Sequence, residues 1–147
     1  MRSFLIIVHP PAFDQQVEAF NDRPLDGRDY PFVIVDAMRI KVRRQRTVRS
    51  TSALIVVGIN EEGYREILGL QIADSESKQS WLEMFRWLKQ RGLTGVEFVT
   101  SGAHEGLVDA LQQCFQGSTW QRCQTHFRRN VVDKTPTSLE DTIHQRM

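Results

Sequence analysis

The sequence predicts an α/β fold in which three antiparallel strands precede alternating helices and strands. Three observations support this prediction. Three segments rich in β-formers follow one another between residues 31 and 72, separated by short polar turns. Segments with a helical apolar stripe then alternate with short apolar strands. Finally, 147 residues suffice for one domain with a real core.

The first strand is predicted after a lead-in and a loop. Residues 13–20 are compatible with a short helix, and residues 21–30 contain the Asn, Pro, Gly and Asp typical of loops. Residues 31–35 are apolar on both faces, which is typical of a strand in a buried sheet. Between Asp36 and Arg43, apolar and basic side chains alternate, so one face of this part is expected to be solvated.

The second and third strands are predicted at residues 48–59 and 64–72. A short turn joins them, with Gly63 at a left-handed position. The three strands are therefore expected to form an antiparallel meander.

The next segment, residues 75–91, is predicted to be a helix that ends at Gly92. Trp81 is spaced to stack over Phe85 one turn later. The apolar stripe of this helix, at three- and four-residue spacing, consists of Trp81, Met84, Phe85 and Leu88.

The remaining elements alternate, with a strand at 96–100, a helix at 103–115, a strand at 119–123 and a helix at 124–134. This order, βββαβαβα, is that of the ribonuclease H-like fold. We expect a lead-in and loop at 1–30, a ribonuclease H-like core at 31–136, and the start of a further helical segment at 137–147, where the fold is incomplete.

Composition excludes several classes of protein. The net charge of +1 gives no global basic field, so any nucleic-acid contact must come from local clusters. Two cysteines make a disulfide framework improbable and fit a reducing compartment. No stretch approaches the ~20 apolar residues of a membrane helix. We expect a soluble intracellular protein without a membrane partner.

Asp36 is the first candidate for a catalytic, metal-binding residue. It shares a strand face with Ile34 and Met38, where a carboxylate is costly unless it is paired or binds a cation. Taken alone, it is equally consistent with a strand-end Asp hydrogen-bonded to backbone. The predicted fold favours the metal interpretation, because its first strand carries the first metal carboxylate.

Gly102 stands where the second metal carboxylate is expected, at the end of the fourth strand. Two-cation phosphoryl transfer needs carboxylates that hold the ions ~3.5–4 Å apart, and Gly102 has no side chain. If Gly102 caps the following helix, Glu105 takes the capping-box position. Whether His104 or Glu105 compensates for the missing carboxylate stays open, although capping is the favoured role for Glu105.

Cys123 and His126 form a C-x-x-H pair. No second pair follows at zinc-finger spacing, and nothing marks Cys123 as an activated nucleophile. The plain alternative is a buried Cys on a strand and a His on the next helix.

Two groups of basic residues are candidates for DNA binding, because such clusters neutralise phosphates. The alternative is a solvated hairpin face. The first group lies on one hairpin and includes Lys41, Arg43, Arg44, Arg46 and Arg49, and the second consists of Arg122, Arg128 and Arg129.

Jointly, these motifs resemble the Mutator-type transposases of bacterial insertion sequences. The resemblance covers nearly all of the chain from Phe13 onward, through the segments FNDRPLDGRDYPFVIVDAMRIKVR, ALIVVGINEEGYREILGL, DSESKQSWLEMFRWLKQRGLTGVEFV, AHEGL and TWQRCQTHFRRNV. It implies a ribonuclease H-like core with an Asp-Asp-Glu triad that uses Mg²⁺ or Mn²⁺. It also implies DNA strand cleavage and transfer at terminal inverted repeats, with water and then a DNA 3′-hydroxyl as nucleophiles.

Carried onto this sequence, the resemblance makes Asp36 the first catalytic Asp and puts Gly102 in the place of the second. Cys123 and His126 match the family's signature near the active site. The third carboxylate, a Glu, is expected beyond this chain, since Glu140 lies too close to the preceding helix. We therefore predict a truncated and catalytically inactive chain in the bacterial cytoplasm, associated with the nucleoid. Its alternative role is a regulator that binds DNA, an intact transposase or a second copy of itself.

Overall fold

The structure is a computed structural model that describes residues 11–146, without the side chains of residues 11–13 and of Arg44. The first ten residues of the predicted lead-in and the last residue of the predicted helical segment lie outside this range. The elements are α1 (Pro11–Asp22), β1 (Phe32–Arg44), β2 (Thr47–Ile59), β3 (Arg65–Ala73), α2 (Lys78–Gln90), β4 (Phe98–Ser101), α3 (Glu105–Cys114), β5 (Thr119–Arg122), α4 (Gln124–Asp133) and α5 (Glu140–Arg146), with a 3₁₀ turn at Thr137–Leu139.

The five strands form one sheet in the order β3-β2-β1-β4-β5. Short turns join β1, β2 and β3, so these strands are antiparallel. Helices connect β3 to β4 and β4 to β5, and β4 runs parallel to both β1 and β5. This is the topology of the ribonuclease H-like fold, and the predicted fold class is confirmed.

The core lies between one face of the sheet and the helices α2 and α3. Val33, Val35, Leu54 and Val56 point into it, and all are almost fully buried. The predicted aromatic pair is present, with the Trp81 and Phe85 rings 5.5 Å apart and 21° from parallel. Further contacts come from the buried stripe of α2 and from Leu107, Ala110 and Leu111 of α3.

The opposite face of the sheet, here called the open face, is not covered by a helix in the described part of the chain. Phe32 of β1 and Phe98 of β4 stack there with ring centroids 5.4 Å apart, yet they remain 47% and 41% exposed. The prediction that the start of β1 is buried on both faces is therefore wrong for Phe32. Alternation along the strand buries Val33 and Val35 and leaves their neighbours on the open face.

Arg91, the C-cap of α2, ties the loop after α1 to the sheet. Its guanidinium donates from Nη1 to the Leu68 carbonyl at 2.7 Å and from Nε to the Arg23 carbonyl at 3.1 Å. In the same region the Tyr30 hydroxyl donates to Glu66 Oε2 at 2.9 Å. Burial and this carboxylate raise the pKa of Tyr30 above its usual value.

The turn between β1 and β2 contains two residues in the left-handed region. The φ angles are 46° at Gln45 and 65° at Arg46. A two-residue hairpin turn that follows the strand twist needs positive φ at both central positions, which is why Asn and Gly are preferred there. Within residues 11–146, no helix has the length and apolar character needed to cross a membrane.

Candidate active site

A cleft forms where β1 continues beyond its parallel neighbour. The last pair between β1 and β4 joins Ile34 to Thr100, and β4 ends at Ser101. The chain then diverges towards α3, leaving a space of about 350 Å³ beside β1. The residues around this space, here called the cleft, are Val35, Asp36, Ala37, Glu76, Gly102, Ala103, His104, Leu107, Arg122, His126 and Asn130.

Asp36 lies in the cleft, but its surroundings differ from those expected. Its side chain is 51% exposed, and Oδ1 accepts a hydrogen bond from the Ala37 backbone at 2.9 Å. The argument that a carboxylate here must be paired because it is buried is therefore wrong. Because Val35 points into the core, alternation directs Asp36 to the other face of the sheet, where solvent reaches it.

His126 lies between Asp36 and Gly102. Its Nε2 is 3.7 Å from Asp36 Oδ1. A Cβ atom built on Gly102 would lie 3.5 Å from its Nδ1. This Nδ1 is buried and has no hydrogen-bond partner among the described residues. One ring nitrogen thus approaches the Asp36 carboxylate, and the other faces position 102, where the sequence predicts the place of a second carboxylate.

The C-x-x-H spacing explains how His126 reaches this position. The Cys123 amide donates to the Ser101 carbonyl at 2.7 Å, which joins the end of β5 to the end of β4. Cys123 is also the N-cap of α4, so His126 is the third residue of that helix and lies in its first turn. Ser101 is held from the other side, since its hydroxyl accepts from Trp120 Nε1 at 2.8 Å.

The cysteines supply no ligand set. Among residues 11–146, no group of three or more His, Cys, Asp and Glu side chains is arranged to hold a metal ion. Cys114 belongs to the helix interface, where burial raises the pKa of its thiol and disfavours the thiolate.

The start of α3 differs from the prediction. Its N-cap is His104, whose Nδ1 accepts from the Leu107 amide at 3.3 Å. Gly102 is therefore not the cap, and Glu105 is the first helical residue rather than the third. The predicted capping box is wrong because two further residues separate β4 from the helix. His104 lines the cleft, whereas Glu105 is exposed and does not line it.

Glu76 is a cleft residue that sequence reasoning missed. Its Oε1 accepts from the Trp81 indole at 3.2 Å and lies 3.9 Å from His104 Nδ1. It directly precedes Ser77, the N-cap of α2, and the contact between α2 and α3 brings it to the cleft. No local sequence pattern indicates that Glu76 lies in the cleft, because its position depends on the packing of α2 against α3, which are separated in sequence by β4. Asn130, also in the cleft, was likewise not predicted.

Asp36 and Glu76 do not form the site that two cations require. Asp36 Oδ1 lies 3.7 Å from His126 Nε2, and Glu76 Oε1 lies 3.9 Å from His104 Nδ1. Glu76 Oε1 also accepts a hydrogen bond from the Trp81 indole. Position 102, in the same cleft as Asp36, offers no side-chain oxygen. The residues present therefore do not fit the two-cation centre that the resemblance implies.

The predicted DNA-binding residues lie on two separate elements. Lys41, Arg43 and Arg46 are exposed near the tip of the β1–β2 hairpin, where the side chain of Arg44 is not described. Arg128 and Arg129 are exposed on α4, and Arg128 Nη2 is 3.3 Å from His144 Nδ1.

Comparison with known proteins identifies the family. The model of the transposase family named Mutator matches residues 9–147. A transposase for insertion sequence element IS1081 of Mycobacterium tuberculosis is 48% identical over 123 residues, which are 84% of this chain and 30% of that protein. A transposase for element IS256 in transposon Tn4001 of Staphylococcus aureus is 42% identical over 123 residues, again 84% of this chain and 32% of that protein.

The chain thus spans about a third of the length of these relatives. Among solved structures, the HTLV-2 integrase catalytic core domain in complex with magnesium is 8% identical with a TM-score of 0.40, covering 84% of each chain. The family resemblance drawn from the sequence is confirmed. A family match over nearly the whole chain shows that it belongs to the Mutator family of transposases.

Proposed function

We propose that this chain keeps the catalytic-core fold of a transposase, binds DNA, and does not itself cleave or join DNA strands. The observation that carries the proposal is Gly102, which faces His126 where the fold would offer a second carboxylate to a cation. Transposases of this family act on the ends of insertion elements, so terminal inverted repeats are the proposed DNA.

The charge and position of the carboxylates in the cleft determine whether it can hold catalytic cations. Cations that bridge the attacking and leaving oxygens supply most of the catalysis in two-metal phosphoryl transfer, and they need convergent carboxylates. In the cleft, Asp36 is half exposed and its Oδ1 lies 3.7 Å from His126 Nε2. Loss of one ligand is expected to lower the cleavage rate by orders of magnitude, because an ill-placed cation loses its alignment with the reacting phosphate.

DNA binding is supported by the exposed cations of the β1–β2 hairpin and of α4. Lys41, Arg43 and Arg46 follow Asp36 towards the tip of the β1–β2 hairpin, and their exposed charges are available to a duplex. Each phosphate neutralised adds to the salt dependence of binding. Binding of element DNA implies action in the bacterial cytoplasm, on the nucleoid.

A cleavage assay tests the first part of the proposal. The purified chain is incubated with supercoiled plasmid and Mg²⁺ or Mn²⁺, beside Asp36→Asn as the matched control. We expect no nicking above the Asp36→Asn background. Nicking that requires both the added cation and Asp36 would refute the proposal that the chain is inactive.

A binding assay tests the second part. We expect duplex DNA to bind with an affinity that falls steeply with salt, and Arg43→Ala with Arg46→Ala to reduce the salt slope by about two, one for each lost phosphate contact. Arg65→Ala, an exposed cation at the start of β3, is the matched control. Absence of binding at low salt would eliminate a DNA-binding role, including competition with an intact transposase for its DNA ends.

A further inference from the structure

A buried arginine donor without a partner lies at one end of the cleft. Arg122 Nε is one of three buried side-chain polar atoms in the described residues that make no hydrogen bond, and His126 Nδ1 is another. Buried donors are normally satisfied, so each orphaned one needs an explanation. An arginine Nε–H can only donate, so Arg122 indicates a site whose acceptor comes from another molecule.

Arg122 and Asn130 mark the place where such an acceptor would bind. Both residues line the cleft, and both also line a neighbouring cavity of about 390 Å³. We call their common boundary the junction. Lys134 and Thr135 of the neighbouring cavity add polar groups beyond it.

The guanidinium of Arg122 lies over an aromatic ring. Its Cζ lies 5.2 Å from the centroid of the Phe127 ring, one turn along α4 from Cys123. Stacking on an aromatic face fixes the plane of an arginine while its edge N–H groups stay free to donate. The planar edge matches two oxygens of a phosphate, which an arginine binds in a bidentate manner.

Charge selects an anion at the junction. The carboxylates of Asp36 and Glu76 line the cleft, but Glu76 and His104 are shared with a different cavity, on the side away from Arg122. Among the residues that the structure describes, no carboxylate lines the neighbouring cavity that contains Lys134. An anion at the junction thus meets Arg122 and the Asn130 amide, with Lys134 in the neighbouring cavity.

We propose that the junction formed by Arg122 and Asn130, with Lys134 in the neighbouring cavity, binds a phosphate group supplied by a DNA strand that passes the cleft. This inference rests on the proposed DNA binding and deepens it, because it fixes where one backbone phosphate lies relative to Asp36. A free phosphate ion would use the same donors, so the test separates the two sources.

The first experiment measures binding of a labelled duplex oligonucleotide to the full chain by fluorescence anisotropy. Arg122→Gln should weaken binding about tenfold and reduce the salt slope by about one. Arg86→Gln, an exposed cation of α2 that lines neither cavity, should bind within about twofold of the unmodified chain.

A second variant guards against a folding defect, since Arg122→Gln also removes the stack on Phe127. Asn130 is exposed, so Asn130→Asp leaves the core intact while placing a negative charge at the junction. It should weaken DNA binding at least as much as Arg122→Gln. Wild-type affinity for both variants overturns the proposal and leaves DNA binding by other residues in place.

The second experiment titrates inorganic phosphate into the chain and follows the Arg122 Nε–Hε NMR signal, with sodium chloride at matched ionic strength as control. A saturable shift that Asn130→Asp abolishes supports the junction even where no DNA binds, in which case a free anion is the ligand and the proposed DNA binding fails. No shift together with no effect of the variants on DNA binding refutes the junction.

Discussion

Replacing Gly102 with Asp tests the geometry on which the proposed inactivity depends. A Cβ atom at this position would lie 3.5 Å from His126 Nδ1, an ordinary van der Waals contact, and 3.8 Å from the ring Cγ. The backbone of Gly102 does not lie in the left-handed region. The introduced carboxylate would therefore enter the cleft without displacing the main chain.

Three contributions determine how Gly102→Asp changes the free energy of unfolding. Replacing a glycine whose backbone is compatible with other residues stabilises by about 0.4–1 kcal/mol, because the unfolded chain loses conformational freedom. A hydrogen bond from the orphaned His126 Nδ1 contributes about 0.5–1.5 kcal/mol. Repulsion between the new carboxylate and Asp36 in the solvated cleft lowers the free energy of unfolding by less than about 1 kcal/mol. We expect Gly102→Asp to raise the free energy of unfolding by about 1 kcal/mol.

Urea denaturation at neutral pH measures this change. Gly102→Ala is the matched control, because it gains the backbone contribution and not the hydrogen bond. A double-mutant cycle with His126→Ala isolates the contact between the two side chains. Destabilisation by Gly102→Asp of more than about 1 kcal/mol, or no coupling to His126, would refute this description of the cleft.

Three further changes test other parts of the structure. Gly106→Ala should lower the free energy of unfolding by about 1–3 kcal/mol in urea denaturation, because its Cβ would lie 2.6 Å from the Lys78 backbone nitrogen; unchanged stability would mean that α2 and α3 are less closely packed. Gln45→Asn combined with Arg46→Gly should raise the thermal midpoint by several degrees, reflecting about 1 kcal/mol, because both positions have positive φ; a lower midpoint would contradict the turn geometry. The raised pKa of Tyr30 contributes stability that is present below its unfolded value of about 10 and is lost as the pH rises towards the folded value, so Tyr30→Phe should flatten the loss of stability at alkaline pH; an equally steep loss in Tyr30→Phe would assign the alkaline transition to other groups.

The strand and helix order was predictable because its signals are local. Alternation along β1, the stripe that contains Trp81 and Phe85, and the turn at Gly63 each reflect a period or a backbone preference within a few residues. The start of α3 was not predictable in the same way. Both Gly102 and His104 precede the helix, and local sequence does not show which one is the N-cap. The length of the connection between β4 and α3 makes His104 the N-cap.

The site was predictable only in part. Asp36 and Gly102 were predicted from their places within the first strand and after the fourth, and the structure brings both to one cleft with His126. The exposure of Asp36 was missed, because a single strand does not reveal which of its faces the helices will cover. Asn130 was missed because its role depends on how α4 leaves the sheet.

The sequence by itself determined the order of the elements, the family and the absence of a side chain at position 102, since each depends on residue identity and short-range pattern. Tertiary structure alone decided what surrounds that position. The hydrogen bond from the Cys123 amide to the Ser101 carbonyl places the start of α4, and with it His126, next to Gly102. The contact of the Arg122 guanidinium with the Phe127 ring positions Arg122 at the junction. These are contacts between elements, whose geometry follows from the packing of the whole sheet and is not contained in any local segment.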